Sequence, residues 1–258
     1  MELTPETITE IERHVARAYP SEACGLVIVE RGRQRFVACR NTARDPAIGF
    51  RLNADEWAAA EDRGEVVAVV HSHPDAPAVA SDHDRVVCES SGVPWFIVSV
   101  RARDGAFEVG PEPACEFDLS EWARIDPVGY RAPLVGPSYS WGVLDCWTLI
   151  RDWYQRERGI DLPDVPGRDD PRWWEAGADL MGDHYRAFGF RRMADDAGLD
   201  VGDVVLCQMR SPVPNHAGVY IGDGVILHHM AGRLSSRDVW GGYLAETCTH
   251  RLRYEGAA

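Results

Sequence analysis

At 258 residues the chain exceeds one average domain, so two are expected. Its formal charge of −14 argues against a general affinity for nucleic acid or for an anionic membrane surface. Hydrophobic content of 45% suits an ordinary globular protein, and no apolar run approaches the ~18 residues of a membrane span, so membrane insertion is not expected.

The opening stretch, MELTPETITEIERHVARAYP, lacks the basic start and apolar core of a secretory signal, so synthesis in a cytoplasm is expected. Within it, Thr4 to Ala18 reads as a helix: Thr4 caps, Pro5 takes the first helical position, Glu6 complements the dipole, and Ile8, Ile11 and Val15 line one face. Pro20 and Ser21 interrupt it. Cys24 to Glu30 and Gln34 to Ala38 are strand-like around an Arg31-Gly32-Arg33 turn, giving a hairpin. Asn53 to Arg63 is helical by composition, with Asn53 as cap.

The stretch from Val66 to Asp84 organises the first half. Val66 to Val70 is an apolar, mostly β-branched run that suits a buried strand, and it leads into His71-Ser72-His73-Pro74. On a strand, His71 and His73 point to the same face, and Pro74 ends the ladder. Ser81 and Asp84 follow after six residues. Two imidazoles and a carboxylate are the donors of a catalytic zinc that keeps one position open. A histidine pair beside acidic residues also occurs at solvated strand ends. Asp82 to Ser90 then reads as a helix, Trp95 to Val100 as a buried strand, and Asp104-Gly105 as a hairpin turn. The pattern HxHP, six residues, SxxD resembles the JAMM metalloprotease family of the MPN fold. That resemblance implies Zn2+ on His71, His73 and Asp84, Glu22 as general acid/base, and Ser81 steadying the oxyanion.

Gly110-Pro111-Glu112-Pro113 marks a composition shift, and Pro and Gly stay dense up to Pro137. The expected organisation is an α/β sandwich over residues 1–110, a linker over 111–137 and an α+β domain over 138–258. Beyond the linker, Cys146 opens a helical stripe (Leu149, Ile150, Trp153, Tyr154) that Gly159 ends. A helix N-terminus stabilises thiolate, so a lowered thiol pKa is expected. A cysteine in that position is also common as plain packing. Further on, Asn215 to Ile221 and Val225 to His229 form a hairpin about Gly222-Asp223-Gly224, with His216 and His228 able to face each other. His229 is an alternative to His228. Arg168 to Gly189 reads as helical. Seven cysteines, scattered and without a CxxC pair, give neither a disulfide framework nor a zinc ribbon.

DC at a helix start, a GDVV strand, HxGxYxGxG and a following His resemble the NlpC-type family of papain-like cell-wall cysteine peptidases. This implies Cys146 as nucleophile, His216 as base, His228 as the residue orienting it, Tyr139 as oxyanion donor, and peptidoglycan stem peptides as substrate. Here the segment between Tyr139 and Cys146 is shorter than the family's, and Trp147 follows the cysteine where a small residue is usual. The order of the two domains resembles tail assembly proteins of lambda-like phages, which implies phage tail-tip proteins as partners and a virion tail or assembly intermediate as location. A structural assembly subunit with little catalysis is the alternative reading.

Overall fold

Thr4 starts helix α1 (Pro5–Ala18) by accepting the Thr7 N–H, with Pro5 in the first turn. The computed structural model describes residues 1–103, 116–168 and 173–256, which form two compact units, Met1–Tyr130 and Arg131–Ala258.

In the first unit, β1 (Cys24–Glu30) and β2 (Arg33–Cys39) make the expected hairpin. Its two-residue loop puts both Arg31 and Gly32 at positive φ, which matches the right-handed strand twist. Helix α2 (Ala54–Glu61), capped by the Asn53 side chain, precedes β3 (Glu65–Pro74), and α3 (Asp82–Ser91) crosses from β3 to the parallel β4 (Trp95–Ala102). Two short strands, β5 (Phe117–Asp118) and β6 (Trp122–Ile125), both pair with β4. The sheet runs β2-β1-β3-β4-β5, antiparallel except at β3–β4.

Both sheet faces are covered, so its central strands carry apolar runs and not alternation. Ile11 and Val15 of α1 pack on Val27, Ala68, Val70 and Val98. On the opposite face Ala60 of α2 and Cys88 of α3 pack on Leu26, Ile28, Val69 and Trp95. Each fully buried aliphatic side chain contributes about 1.5–3 kcal/mol. The stretch read as linker therefore holds strands β5 and β6. Phe117, Leu119 and Trp122 supply apolar side chains to the first core, which local Pro and Gly content does not reveal. The Asp104-Gly105 turn, the Gly110–Pro113 segment and Cys115 lie outside the described residues.

The second unit contains α4 (Cys146–Arg158), α5 (Leu180–His184), β7 (Phe190–Arg192), β8 (Val204–Cys207), β9 (His216–Gly222), β10 (Val225–His228), β11 (Ser236–Val239), α6 (Gly242–Glu246) and β12 (Cys248–Tyr254). Its antiparallel sheet has the order β11-β10-β9-β8-β12-β7. Helix α4 ends at Gly159 in the left-handed conformation, and its Leu149, Ile150 and Trp153 pack on Val204, Leu206, Ala217 and Leu227. The helix expected over Arg168 to Gly189 is reduced, among the described residues, to α5. Gly177 takes a positive φ there, and Trp173 is drawn into the core, so tertiary packing overrides the local pattern. No described helix is long and apolar enough to cross a membrane.

Candidate functional site

Each unit gathers one cluster of reactive side chains. In the first, strand alternation places His71 and His73 together at the end of β3. His71 is 1% exposed, stacked on Phe50 at 4.6 Å and edge-on to Trp95 at 5.6 Å. Asp84 comes from the first turn of α3. The capping box that starts this helix also fixes the carboxylate: Ser81 donates to Asp84 Oδ2 through its N–H (2.8 Å) and its hydroxyl (2.7 Å). The Ser81 hydroxyl is thus spent on holding Asp84.

His71 Nε2 lies 3.1 Å from His73 Nε2 and 3.4 Å from Asp84 Oδ1, and His73 Nε2 lies 3.9 Å from Asp84 Oδ2. Ligand bonds of ~2.0–2.1 Å around a tetrahedral ion put donor atoms about 3.3 Å apart, so the cluster fits a divalent cation. The rings support the same reading. His73 Nδ1 donates to the Pro77 carbonyl at 2.9 Å, which leaves the Nε2 lone pair facing the cluster, while the buried Nδ1 of His71 has no partner. Burial works to raise the Asp84 carboxyl, but His71 and the Ser81 hydrogen bonds outweigh it and hold it below the usual range.

Glu22 stands just beyond β1. The ladder of β1 on β3 pairs Cys24 with His71, and bonds between Ala23 and Ser72 (3.0 and 2.8 Å) carry it one residue further. Glu22, one residue before Ala23, lies close enough to Asp84 to feel its charge. Burial, then the charge of Asp84, pushes the Glu22 carboxyl up to about 8.

In the second unit, Asp145 caps α4 by accepting the N–H groups of Trp147, Thr148 and Gly142, each at 3.0 Å. Buried Arg168 is ion-paired with Asp145 and also donates to Asp164 Oδ1 (2.6 Å), the Gly142 carbonyl (3.1 Å) and Thr148 Oγ1 (2.9 Å). Cys146, 4% exposed, is the first residue of the helix. Its sulfur lies near the backbone N–H groups of Ala217 and Trp147, which sets it beside the start of β9 where His216 stands.

The surroundings of the thiol work against the expected low pKa. Burial, then the Asp145 charge, pushes Cys146 up to about 12, and the nearby N–H groups of Ala217 and Trp147 and the Arg168 charge only moderate this. Burial, then His228 and His229, pushes His216 down to about 3. Burial thus favours the neutral thiol and the neutral imidazole.

His216 Nε2 meets His228 Nδ1 at 2.9 Å, and His228 Nε2 meets Asp238 Oδ2 at 2.8 Å. Gly218 makes this approach possible: a Cβ there would come within 2.9 Å of Ile226 Cγ1 and 3.2 Å of His228 Cβ. His229 turns to the Arg233 carbonyl at 3.2 Å and packs edge-on against Tyr139 at 5.0 Å. Backbone bonds between Ser140 and Leu144 (2.9 and 2.8 Å) close the short segment before α4 into a tight loop. Tyr139, just before this loop, lies close enough to Cys146 for the two to interact electrostatically. Burial, then the charges of Cys146 and Asp145, raise the Tyr139 phenol far above its usual value. Sequence reasoning missed Asp238 and Arg168. Asp238 lies ten residues after His228, on an outer strand too short for a periodic signal, and Arg168 lies beside Pro166 and Gly167.

Residues 4–109 match the family described as prokaryotic homologs of the JAB domain, and residues 136–253 match the NlpC/P60 family. The chain is 35% identical over 252 residues to tail tip assembly protein K of Escherichia phage N15, covering 97% of this chain and 95% of that protein. It is 36% identical over 187 residues to tail tip assembly protein K of Escherichia phage lambda, covering 72% and 81%. A further similarity, 30% over 104 residues, covers 37% of this chain and 70% of the CysO-cysteine peptidase of Mycobacterium tuberculosis. With similarity running almost end to end and a JAB-like unit preceding an NlpC/P60 unit, the chain belongs to the phage tail tip assembly protein K family.

Proposed function

We propose that the protein is a bifunctional peptidase of a phage tail tip, a cysteine endopeptidase for peptidoglycan stem peptides joined to a zinc-dependent (iso)peptidase, acting in tail assembly or cell-wall penetration. In this reading residues 1–110 carry the metal site and residues 138–258 the cysteine site, joined through residues 111–137. The observation that carries the cysteine half is the placement of the Cys146 sulfur against Ala217, next to His216, whose ring is tied to His228.

The chemistry follows the order of these contacts. His216 Nδ1 takes the Cys146 proton as the sulfur attacks the amide carbonyl carbon. The Tyr139 hydroxyl, beside the sulfur, donates to the oxygen that gains charge. The C–N bond breaks, and the His216 proton leaves with the amine. His216 then deprotonates a water, which cleaves the thioester, releases the acid and restores the thiol. His228 holds His216 in line throughout. Because both groups are neutral at rest, proton transfer accompanies attack and does not precede it.

In the first unit His71, His73 and Asp84 would hold the zinc, with Ser81 fixing Asp84. A zinc ion there supplies Lewis acidity that polarises a carbonyl and acidifies water. Glu22, poised near neutrality by burial, takes a proton from the attacking water and returns it to the leaving amine. Likeness to a protein named as a peptidase supports this half of the reading.

The test is digestion of purified peptidoglycan. Cys146→Ala abolishes it and a chelator leaves it intact; loss on chelation with survival in Cys146→Ala would move wall cleavage to the metal site. The buried, neutral thiol favours a second reading, a tail-tip assembly subunit with little catalysis. Assembly of infectious particles with Cys146→Ala, together with a wild type that digests no wall, would select it.

A further inference from the structure

Three neighbouring antiparallel strands each supply one member of a polar row: His216 from β9, His228 from β10 and Asp238 from β11. In register His228 faces Ser236, and Asp238 lies two residues along on the same face of β11. The row leads from the buried thiol outward. His216 and His228 are 6% and 2% exposed, whereas the Asp238 side chain is 47% exposed and, with His228, Arg210 and Arg233, lines a cavity of about 540 Å³.

With both imidazoles neutral, hydrogen-bond bookkeeping along this row has one consistent solution. A carboxylate only accepts, so the 2.8 Å contact to Asp238 makes His228 Nε2 the donor. Neutral His228 then carries its lone pair on Nδ1, and the 2.9 Å contact there makes His216 Nε2 a donor too. The one ring nitrogen of His216 left with a lone pair is Nδ1.

We propose that Asp238 is a positioning residue of the cysteine site: acting through His228, it selects the His216 tautomer whose Nδ1 can take the Cys146 proton. It touches neither sulfur nor substrate. The idea rests on the cysteine-peptidase reading for its purpose, and on geometry alone for the tautomers.

The experiment separates the two. The full chain is prepared with ¹⁵N-labelled histidine as wild type, Asp238→Ala, Asp238→Asn and Asp238→Glu, and ring protonation is read from two-bond ¹H–¹⁵N correlations at pH 8. Circular dichroism checks that each variant is folded, which the half-exposed position favours. Wild type and Asp238→Glu are expected to hold the proton on Nε2 of both His228 and His216. In Asp238→Ala and Asp238→Asn the Nδ1–H forms of both rings are expected to appear. On wall peptides kcat falls about 10- to 100-fold with little change in KM, less than the ~10⁴ lost when a buried triad aspartate is replaced, because Asp238 acts one imidazole further away. His228 protonated on Nδ1 in wild type, or unchanged tautomers in both Asp238→Ala and Asp238→Asn, would overturn the proposal. A wild type inactive on every wall substrate would instead refute the peptidase reading, and the tautomer signals would still decide the role of Asp238.

Discussion

Replacing Arg168 by methionine keeps the length of the side chain and removes its charge, leaving the Asp145 carboxylate buried without its cation. The two side chains are only 6% and 4% exposed, so solvent cannot substitute for the lost partner. Breaking a buried pair from one side costs about 3–5 kcal/mol. Asp145 would still accept three N–H groups at 3.0 Å at a helix N-terminus, which favours a negative charge by up to ~2 kcal/mol and holds the cost near the lower end, about 3 kcal/mol. For a unit of this size that lowers the melting temperature by about 10 °C. Differential scanning calorimetry of the full chain measures the second unit's transition. Asp145→Asn combined with Arg168→Met removes both charges while keeping the acceptor, and recovers about half the loss or more. A shift smaller than about 1 kcal/mol in Arg168→Met, or a double variant no better than the single, would refute the argument that this pair anchors α4.

The other expectations concern the two sites directly. Purified protein carries about one divalent ion per chain, as in a site of three protein ligands; Asp84→Ala loses it and Glu22→Gln keeps it, and elemental analysis showing loss in Glu22→Gln would make that carboxylate a ligand. His216 drops from 6.5 to about 3 on folding, so the unfolded chain binds the extra proton between those values. Stability is therefore full above pH 6.5 and falls as pH drops towards 3, by about 2 kcal/mol between pH 7 and pH 5. Urea denaturation should find His216→Asn flatter over that window by this amount; identical slopes would show that the imidazole is not held neutral. Gly218→Ala presses on His228 and Ile226, and cleavage of wall peptides should fall about tenfold or more while far-ultraviolet circular dichroism is unchanged, since ~1 Å of misplacement can cost 10²-fold.

What could be read in advance was local. The cap at Thr4, the cap at Asn53 and the Gly159 stop each depend on a few adjacent residues, and the structure reproduces them. The cluster of His71, His73 and Asp84 was legible for the same reason: one strand period and one capping box set all three positions. Reasoning from local rules failed where distant chain decides. The dipole of α4 does favour a thiolate at Cys146, but burial under the sheet outweighs it. Asp238 reaches His228 only because β11 pairs with β10, and no spacing in SRDV announces a histidine partner. The stretch from Arg168 to Gly189 reads as helical in the sequence, whereas Trp173 within it serves the core from a turn.

The enclosure of Cys146 has a consequence for durability. Peroxide attacks thiolates that it can reach, and burial both covers this sulfur and favours its protonated form. The Cys146 thiol would therefore stay reduced in aerated medium without any reductant. Among the described cysteines Cys248 alone is not buried, so oxidative wear should register there first.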